Sequence, residues 1–191
     1  MTISLNKGGN LSLTKAAPGL SAVTVGLGWD ARSTVGAAFD LDASAILAGA
    51  DGKALSDAHF VFYGQAASGD GSTRHSGDNL TGEGGGDDEQ LAVDLTAVPA
   101  ECERIVISAS IYEGQQRGQN FGQVRSAFVR VVNTADGVEL ARYDLSEDSS
   151  TEVAMVFGEL YRNGAEWKFR AVGQGFAEGL RGIALEYGLN V

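Results

Sequence analysis

The sequence predicts an all-β fold, a two-sheet antiparallel β-sandwich with a short C-terminal helix packed on it. Apolar residues recur at every second position in segment after segment, which is the period of a half-buried strand. The chain of 191 residues contains 27 glycines and only 2 prolines, and this glycine content at ordinary hydrophobicity indicates many tight turns. The spacing of the apolar residues changes to that of a helix only near the C-terminus. Because domains usually contain about 100–200 residues, we expect one domain spanning residues 1–191.

Nine segments carry the strand pattern, and turn sequences join some of them. In the first segment Val23, Val25 and Leu27 alternate with threonine and glycine, so one side of the strand would face a core. Residues 134–137 and 163–164 have the turn composition of two β-hairpins. The predicted strands are 23–29, 39–47, 59–63, 91–95, 105–111, 127–132, 138–145, 153–162 and 166–172.

The last segment has the period of an amphipathic helix. Its apolar residues, spaced i, i+4, i+7, i+8 and i+11, form a stripe that would pack on a sheet. They are Phe176, Leu180, Ile183, Ala184 and Tyr187. Gly188 follows at the position where a left-handed residue often ends a helix. We expect the glycines of Gly173-Gln174-Gly175 to form the tight turn from the last strand into this helix.

Charge and cysteine content restrict the partners and the compartment. With 25 Asp and Glu residues against 14 Lys and Arg, the formal net charge is −11, so no nucleic-acid partner is expected. The sequence contains no run of about 20 apolar residues, the length that a membrane-spanning helix needs. Residues 1–10 lack the basic and apolar regions of a signal peptide. Cys102, the only cysteine, cannot form an internal disulfide. The sequence therefore predicts a cytoplasmic protein.

Residues 77–89, which we name the acidic segment, have the most unusual composition, with five carboxylates and five glycines in thirteen residues. Five close carboxylates repel one another unless they are solvated, protonated or neutralised by a cation. Calcium prefers six to eight oxygen ligands in flexible geometry, and a glycine-rich acidic loop can supply them. The segment is not an EF-hand, because Leu80 and Glu83 occupy positions 3 and 6 of the twelve-residue loop that would begin at Asp78.

Further carboxylates could join the acidic segment at one end of a sandwich. Asp40 and Asp42 alternate with the apolar residues of the second predicted strand and therefore share its other face. Asp30 directly follows the first strand and would lie beside them if the two strands pair. The alternative is that the acidic segment is a solvated loop tip, as most charge runs are. Two aspartates within an apolar strand favour the cation site, because they need a cation or a solvated face.

Catalytic groups are not recognisable in the sequence, and we expect the protein not to be an enzyme. Cys102 lies between Glu101 and Glu103, whose charges would raise its pKa and weaken it as a nucleophile. His59 and His75 lack a motif that ties them to a serine or a cysteine. One enzymatic alternative stays open, a cation-assisted hydrolase, which would need an open metal position beside a general base.

Several motifs, in the same order along the whole chain, resemble those of the TerD family of tellurium-resistance and general-stress proteins. The matching stretches are 4–10, 23–30, 39–44, the acidic segment, 121–124, 141–145, 158–161 and 166–175. The resemblance implies a two-sheet sandwich that binds calcium through acidic loops. It also implies a bacterial cytoplasmic protein linked to tellurite tolerance, other chemical stress, phage inhibition and colicin resistance.

The resemblance also implies partners and a ligand set. The partners are sibling TerD-like paralogues and an integral membrane protein, in a complex at the inner face of the membrane. Since an acidic loop cannot approach an anionic membrane unless ions mask its charge, we expect any association with the inner membrane surface to depend on calcium. One calcium ion cannot use all of the matching positions, so two ions would share them or some would act indirectly. The metal residues carried over from the family are Asp30, Asp40, Asp42, Asp78, Asn79, Glu83, Asp87, Asp88 and Glu89.

Three functions follow from these observations. The preferred one is a calcium-binding stress-response protein that acts as a calcium-dependent binding or scaffold module. In the second, the same fold is a cation-assisted hydrolase. In the third, calcium only stabilises a scaffold. Direct detoxification of tellurite by thiol chemistry is disfavoured, because Cys102 is the only thiol.

Overall fold

The computed structural model describes residues 2–30, 36–76, 86–145 and 151–190. In chain order its strands are β1 (Ile3–Ser4), β2 (Asn10–Ser12), β3 (Ala22–Gly28), β4 (Leu41–Ala48), β5 (Phe60–Val61), β6 (Thr73–His75), β7 (Glu89–Asp94), β8 (Arg104–Ile111), β9 (Phe128–Asn133), β10 (Glu139–Asp144), β11 (Ala154–Asn163) and β12 (Glu166–Phe176). The α-helices are α1 (Leu13–Ala16), α2 (Gly114–Arg117) and α3 (Gly179–Glu186). Two single 3₁₀ turns span Asp57–His59 and Phe121–Gln123.

The strands form two six-stranded sheets, which confirms the predicted sandwich. The first sheet has the order β1-β10-β9-β3-β7-β6, and the second has the order β2-β12-β11-β8-β4-β5. All neighbouring strands are antiparallel except β1 and β10, which pair in parallel. The predicted alternation places Val23, Val25 and Leu27 in the core between the sheets, each at most 2% exposed.

Helix α3 packs on the outer face of the second sheet. Ile46 lies on the opposite side of β4 from Ala45 and Leu47, which belong to the main core. Ile183 and Ala184 of α3 are fully buried against this outer face. The helix therefore closes a second, smaller apolar cluster and does not contribute to the core between the sheets.

The ends of two elements differ from the sequence prediction. Phe176 belongs to β12, and α3 begins only at Gly179. The glycines around Gln174 lie inside β12 and do not form the turn into the helix. The pairing of β11 with β12 shifts between Val156 and Gly158, and Gly173 opposite has a φ of +67°. A glycine in the left-handed region is typical of a β-bulge, which a side chain there would strain.

Three strands were not predicted, namely β1, β2 and β6. Each has only two or three residues, which is too short for an alternating pattern to be recognised. The predicted strand 59–63 is likewise reduced to β5, because a 3₁₀ turn, Asp57–His59, occupies its start.

One end of the sandwich collects the chain segments that carry the candidate metal residues. β3 runs antiparallel to β7, with Leu27 opposite Glu89, so the end of β3 lies beside the start of β7. The indole Nε1–H of Trp29 donates to the carbonyl oxygen of Phe39 at 3.2 Å. This bond joins the end of β3 in the first sheet to the segment that enters β4 in the second.

Candidate metal centre

Three consecutive carboxylates, Asp87, Asp88 and Glu89, point in three different directions. Asp87 lies on the outer face of the first sheet, Asp88 lies at the end of β3, and Glu89 lies between the two sheets. The side chains of successive residues in an extended chain point to opposite faces, so carboxylates that are adjacent in the sequence do not lie together in space. The chemistry of each carboxylate therefore has to be considered by itself.

Asp87 is held by two side chains from neighbouring strands. Arg130 donates from Nε to Oδ1 at 2.6 Å and from Nη2 to Oδ2 at 3.1 Å. Gln90 Nε2 donates to Oδ2 at 3.1 Å, and the Asp87 side chain is 1% exposed. The hydrogen bonds to Asp87 also raise the pKa of the Arg130 guanidinium. Both carboxylate oxygens of Asp87 thus already have donors.

The place of Asp87 depends on a glycine in β3. Gly26 lies opposite Arg130 on one side and opposite Gln90 on the other. A Cβ atom on Gly26 would lie 2.2 Å from Cγ of Asp87, so the carboxylate occupies the space where a side chain would be. Glycine at this position permits the close approach.

Asp88 is fixed at the end of β3 beside a second carboxylate. Its N–H donates to the carbonyl of Leu27 at 2.8 Å, and its Oδ2 accepts the N–H of Trp29 at 2.9 Å. Burial raises the pKa of Asp88, the bond from Trp29 opposes this, and the charges of Asp87 and Asp30 add to the rise. The carboxylate is therefore in an environment that disfavours its negative charge.

Asp30 is exposed and lies next to Asp88 at this end. Its Oδ2 accepts the Ser126 hydroxyl at 2.7 Å, and its N–H donates to the carbonyl of Arg125 at 3.0 Å. The structure therefore brings Asp30 and Asp88 together. The charges of both Asp87 and Asp30 act on Asp88, and that of Asp87 has the larger effect on its pKa.

Glu89 joins the two sheets from inside. Its side chain is fully buried, and Oε2 accepts the N–H of Ala43 on β4 in the opposite sheet. The same oxygen lies 3.3 Å from Nε2 of His75 on β6. No donor from the described residues lies within hydrogen-bonding distance of Oε1. A buried carboxylate oxygen of this kind requires a proton, a cation or a donor from elsewhere.

Asp42 lies on β4 in the second sheet, and Asp40 directly precedes that strand. β3 pairs with β7 and β9, whereas β4 pairs with β5 and β8, so the pairing that would place Asp30 beside them does not occur. Asp42 is 4% exposed and lines a cavity of about 260 Å³ with Tyr63, Tyr112 and other residues on the outer face. This is the face opposite the core, as the alternation predicted.

No three His, Cys, Asp or Glu side chains within the four described ranges lie close enough together to hold a metal ion. Three predicted metal residues, Asp78, Asn79 and Glu83, lie outside those ranges. Sequence reasoning did not identify Arg130 or Gln90. A glycine on the polar face of a strand was the only sequence signal of a close approach there.

Cys102 is fully buried, and its Sγ donates to the carbonyl of Arg104 at 3.3 Å. Burial raises the pKa of the thiol to about 11, while the charge of Arg162 opposes the rise. The predicted direction of the shift is confirmed, but its main cause is desolvation and not the neighbouring Glu101 and Glu103.

His59 has partners that the sequence did not indicate. The Ser56 hydroxyl lies 2.8 Å from Nδ1, and Oδ2 of Asp70 lies 3.3 Å from Nε2. In a catalytic triad the nitrogens are used the other way round, with the serine on Nε2 and the carboxylate on Nδ1. The N–H of His59 also donates to the carbonyl of Ser56 at 3.0 Å, so the serine contact belongs to a local turn.

The comparisons with known proteins agree with this architecture. In the described part of the chain, no helix has the length and apolar character needed to cross a membrane. A family model described as the TerD domain matches residues 1–187. Tellurium resistance protein TerD of Serratia marcescens is 58% identical over 190 residues, which cover 100% of this chain and 99% of the relative.

General stress protein 16U of Bacillus subtilis (strain 168) is 54% identical over 192 residues, with 100% of both chains covered. The crystal structure of SAV2460, a protein of unknown function, superposes with a TM-score of 0.72 at 25% identity, covering 91% of this chain and 99% of the other. The match over almost the whole length establishes the relationship. The chain belongs to the TerD family of tellurium-resistance and general-stress proteins.

Proposed function

We propose that this protein is a calcium-binding stress-response protein associated with tellurite resistance, and that it acts as a calcium-dependent binding or scaffold module and not as a catalyst. The observation that carries the proposal is the pair Asp30 and Asp88 at the end of β3. Burial raises the pKa of Asp88, and the charges of Asp87 and Asp30 add to the rise, so negative charge is disfavoured where the acidic segment meets the end of β3. A divalent cation would neutralise that charge.

The residues fit calcium better than other metals. The donor groups at this end are carboxylates and backbone carbonyls, which suit a hard cation that takes six to eight oxygens. Asp30 and Asp88 would supply part of the set. We expect Asp78, Asn79 and Glu83 of the acidic segment to supply more. Asp87 does not fit, because its side chain is 1% exposed and its charge is already paired with the Arg130 guanidinium.

Calcium would change what this end of the sandwich can bind. The chain carries a formal net charge of −11, and two bound calcium ions would neutralise four of these charges. An acidic surface cannot approach anionic head groups unless ions mask its charge. We therefore propose calcium-dependent contacts with sibling TerD-like proteins, with an integral membrane partner and with the inner surface of the cytoplasmic membrane.

The absence of catalysis is part of the same proposal. The thiol of Cys102 is buried, with its pKa raised to about 11, so little thiolate forms at neutral pH. Ser56 contacts His59 within a local turn, and Asp70 lies on Nε2, so the ring nitrogens are used in the reverse of the catalytic-triad arrangement. Both observations support binding over nucleophilic chemistry.

A calcium titration of metal-stripped protein tests the proposal. At 100 times the dissociation constant, one site should add about 2.7 kcal/mol to the free energy of unfolding, which raises the melting temperature by several degrees. Equimolar magnesium should have a much smaller effect. Asp88→Asn should remove most of the calcium effect, whereas Glu101→Gln, at the other end of the sandwich, should retain it.

Two results would contradict the proposal. If neither ion moves the melting temperature and calorimetry detects no binding, the acidic segment is a solvated loop tip. If the calcium-loaded protein hydrolyses a phosphate ester and Asp88→Asn abolishes the turnover, the hydrolase is correct and the pure binding module is not.

A further inference from the structure

We propose that Asp87 and Arg130 are a positioning pair: Asp87 is not a calcium ligand, and the pair fixes the end of the acidic segment so that Asp88 faces the ion. This inference rests on the proposed calcium binding. Asp88 would contact the ion, and the adjacent Asp87 would only orient Asp88.

The pair belongs to a network that crosses four strands of the first sheet. Arg130 on β9 makes two bonds to Asp87, and its Nη1 donates to Oε2 of Glu139 on β10 at 3.1 Å. Gln90 on β7 holds the same Asp87 carboxylate. Gly26 on β3 provides the space beneath it. Asp87 is therefore bonded from β7 and β9 and lies against β3.

The anchored carboxylate determines where the next residue points. With Asp87 held on the outer face and Glu89 held between the sheets, the intervening Asp88 is directed to the end of β3. There it accepts the N–H of Trp29 at 2.9 Å. Releasing Asp87 would remove this restraint on Asp88 and increase the conformational freedom that calcium binding has to restrict.

Charge and positioning predict opposite effects of removing Arg130. The guanidinium is a cation near a cation site, so its charge alone disfavours calcium, and its loss should then increase the affinity. If Arg130 positions Asp88 through Asp87, its loss should decrease the affinity. The sign of the change therefore separates the two roles.

The experiment is a calorimetric calcium titration of wild type, Arg130→Gln, Asp87→Asn and the double variant, with Arg142→Gln as the control. Arg142 lies opposite Arg130 on β10, packs over the ring of Phe128 and pairs with Asp144, so its removal subtracts the same charge without touching Asp87. We expect Arg130→Gln and Asp87→Asn each to weaken calcium binding about 10-fold or more, as is usual for residues that orient metal ligands.

Further results distinguish a positioning pair from two independent residues. The double variant should bind no more weakly than the weaker single variant, because both substitutions break one contact. The number of bound ions should be unchanged, and Arg142→Gln should not weaken binding. An increased or unchanged affinity in Arg130→Gln, or the loss of an ion in Asp87→Asn, would overturn the proposal.

Two controls keep the result interpretable. Gln90→Ala removes one hydrogen bond to Asp87 and no charge, so it should weaken binding in the same direction but less, even if Arg130→Gln does not fold. Unchanged affinity in a folded Gln90→Ala protein together with an unfolded Arg130→Gln protein would count against the pair. A wild-type protein without any calcium binding would instead contradict the proposed function itself.

Discussion

Replacing Gly26 with alanine should destabilise the protein, although this substitution stabilises many others. Gly26 is not among the glycines with positive φ, so alanine can adopt its backbone conformation. Gly→Ala at a tolerant site usually adds about 0.4–1 kcal/mol by restricting the unfolded chain. Here the new Cβ would lie 2.2 Å from Cγ and Oδ2 of Asp87, so the carboxylate has to move.

The size of the effect follows from the bonds that the methyl group breaks. Displacing Asp87 loses two bonds from Arg130 and one from Gln90. Hydrogen bonds to charged groups contribute about 1.5–3 kcal/mol each. Arg130 is 29% exposed, and the displaced groups can reach water, so much of this is recovered. After subtracting the gain from the unfolded state, we expect a net loss of about 1–2 kcal/mol.

Urea denaturation of the metal-free protein, followed by circular dichroism, measures this difference. A loss of that size should lower the melting temperature by about 2–8 °C in a chain of this length. Gly49→Ala is the matched control, because its Cβ would have no neighbour closer than 3.4 Å and φ is not positive. A Gly26→Ala protein as stable as the Gly49→Ala protein would refute the close approach of Asp87.

Three further predictions concern regions away from the metal residues. Cys102 should not react with a thiol reagent at about pH 8 in the native protein and should react once urea unfolds it, because the thiol is fully buried and its pKa is raised to about 11. Phe157→Ala should cost about 3–5 kcal/mol in urea denaturation, since this buried ring packs edge-to-face on Phe121 and Tyr143; a loss below about 1 kcal/mol would contradict the packing. Burial acts to raise the pKa of Asp70, but hydrogen bonds, chiefly from Ser72, lower it overall. The ionised Asp70 carboxylate therefore stabilises the fold at pH values above the pKa of the unfolded chain. This contribution is lost as the pH falls through the lower pKa of the folded protein. The difference in unfolding free energy between wild type and Asp70→Asn should therefore be larger at about pH 6 than at about pH 2, and a pH-independent difference would contradict the shift.

The alternation of apolar residues was sufficient to predict most of the strands, the sandwich and the terminal helix. It failed where elements were too short to show a period, as in β6, and where a strand continued into a helical pattern, as at Phe176. In that case a β-bulge at Gly173 displaced the register. A bulge depends on the partner strand and therefore has no local signature.

The acidic end shows a similar division. Composition predicted that close carboxylates would disfavour one another's charge, and in the structure burial together with the charges of Asp87 and Asp30 raises the pKa of Asp88. Composition could not show that Asp87 is neutralised, because its partner Arg130 lies 43 residues away. Nor could it show that β3 and β4 belong to different sheets, since both have the same alternating pattern.

The sequence by itself determined the strand periodicity, the acidic charge, the lone thiol and the membership of the TerD family. These are properties of residue type and local spacing, which folding does not alter. Only the tertiary structure decided which carboxylates pair with an arginine of the same chain, which lie near one another and which are buried. Those outcomes depend on strand pairing and register, which place Gly26 between Arg130 and Gln90. Register is set by packing over the whole sheet, and no single segment encodes it.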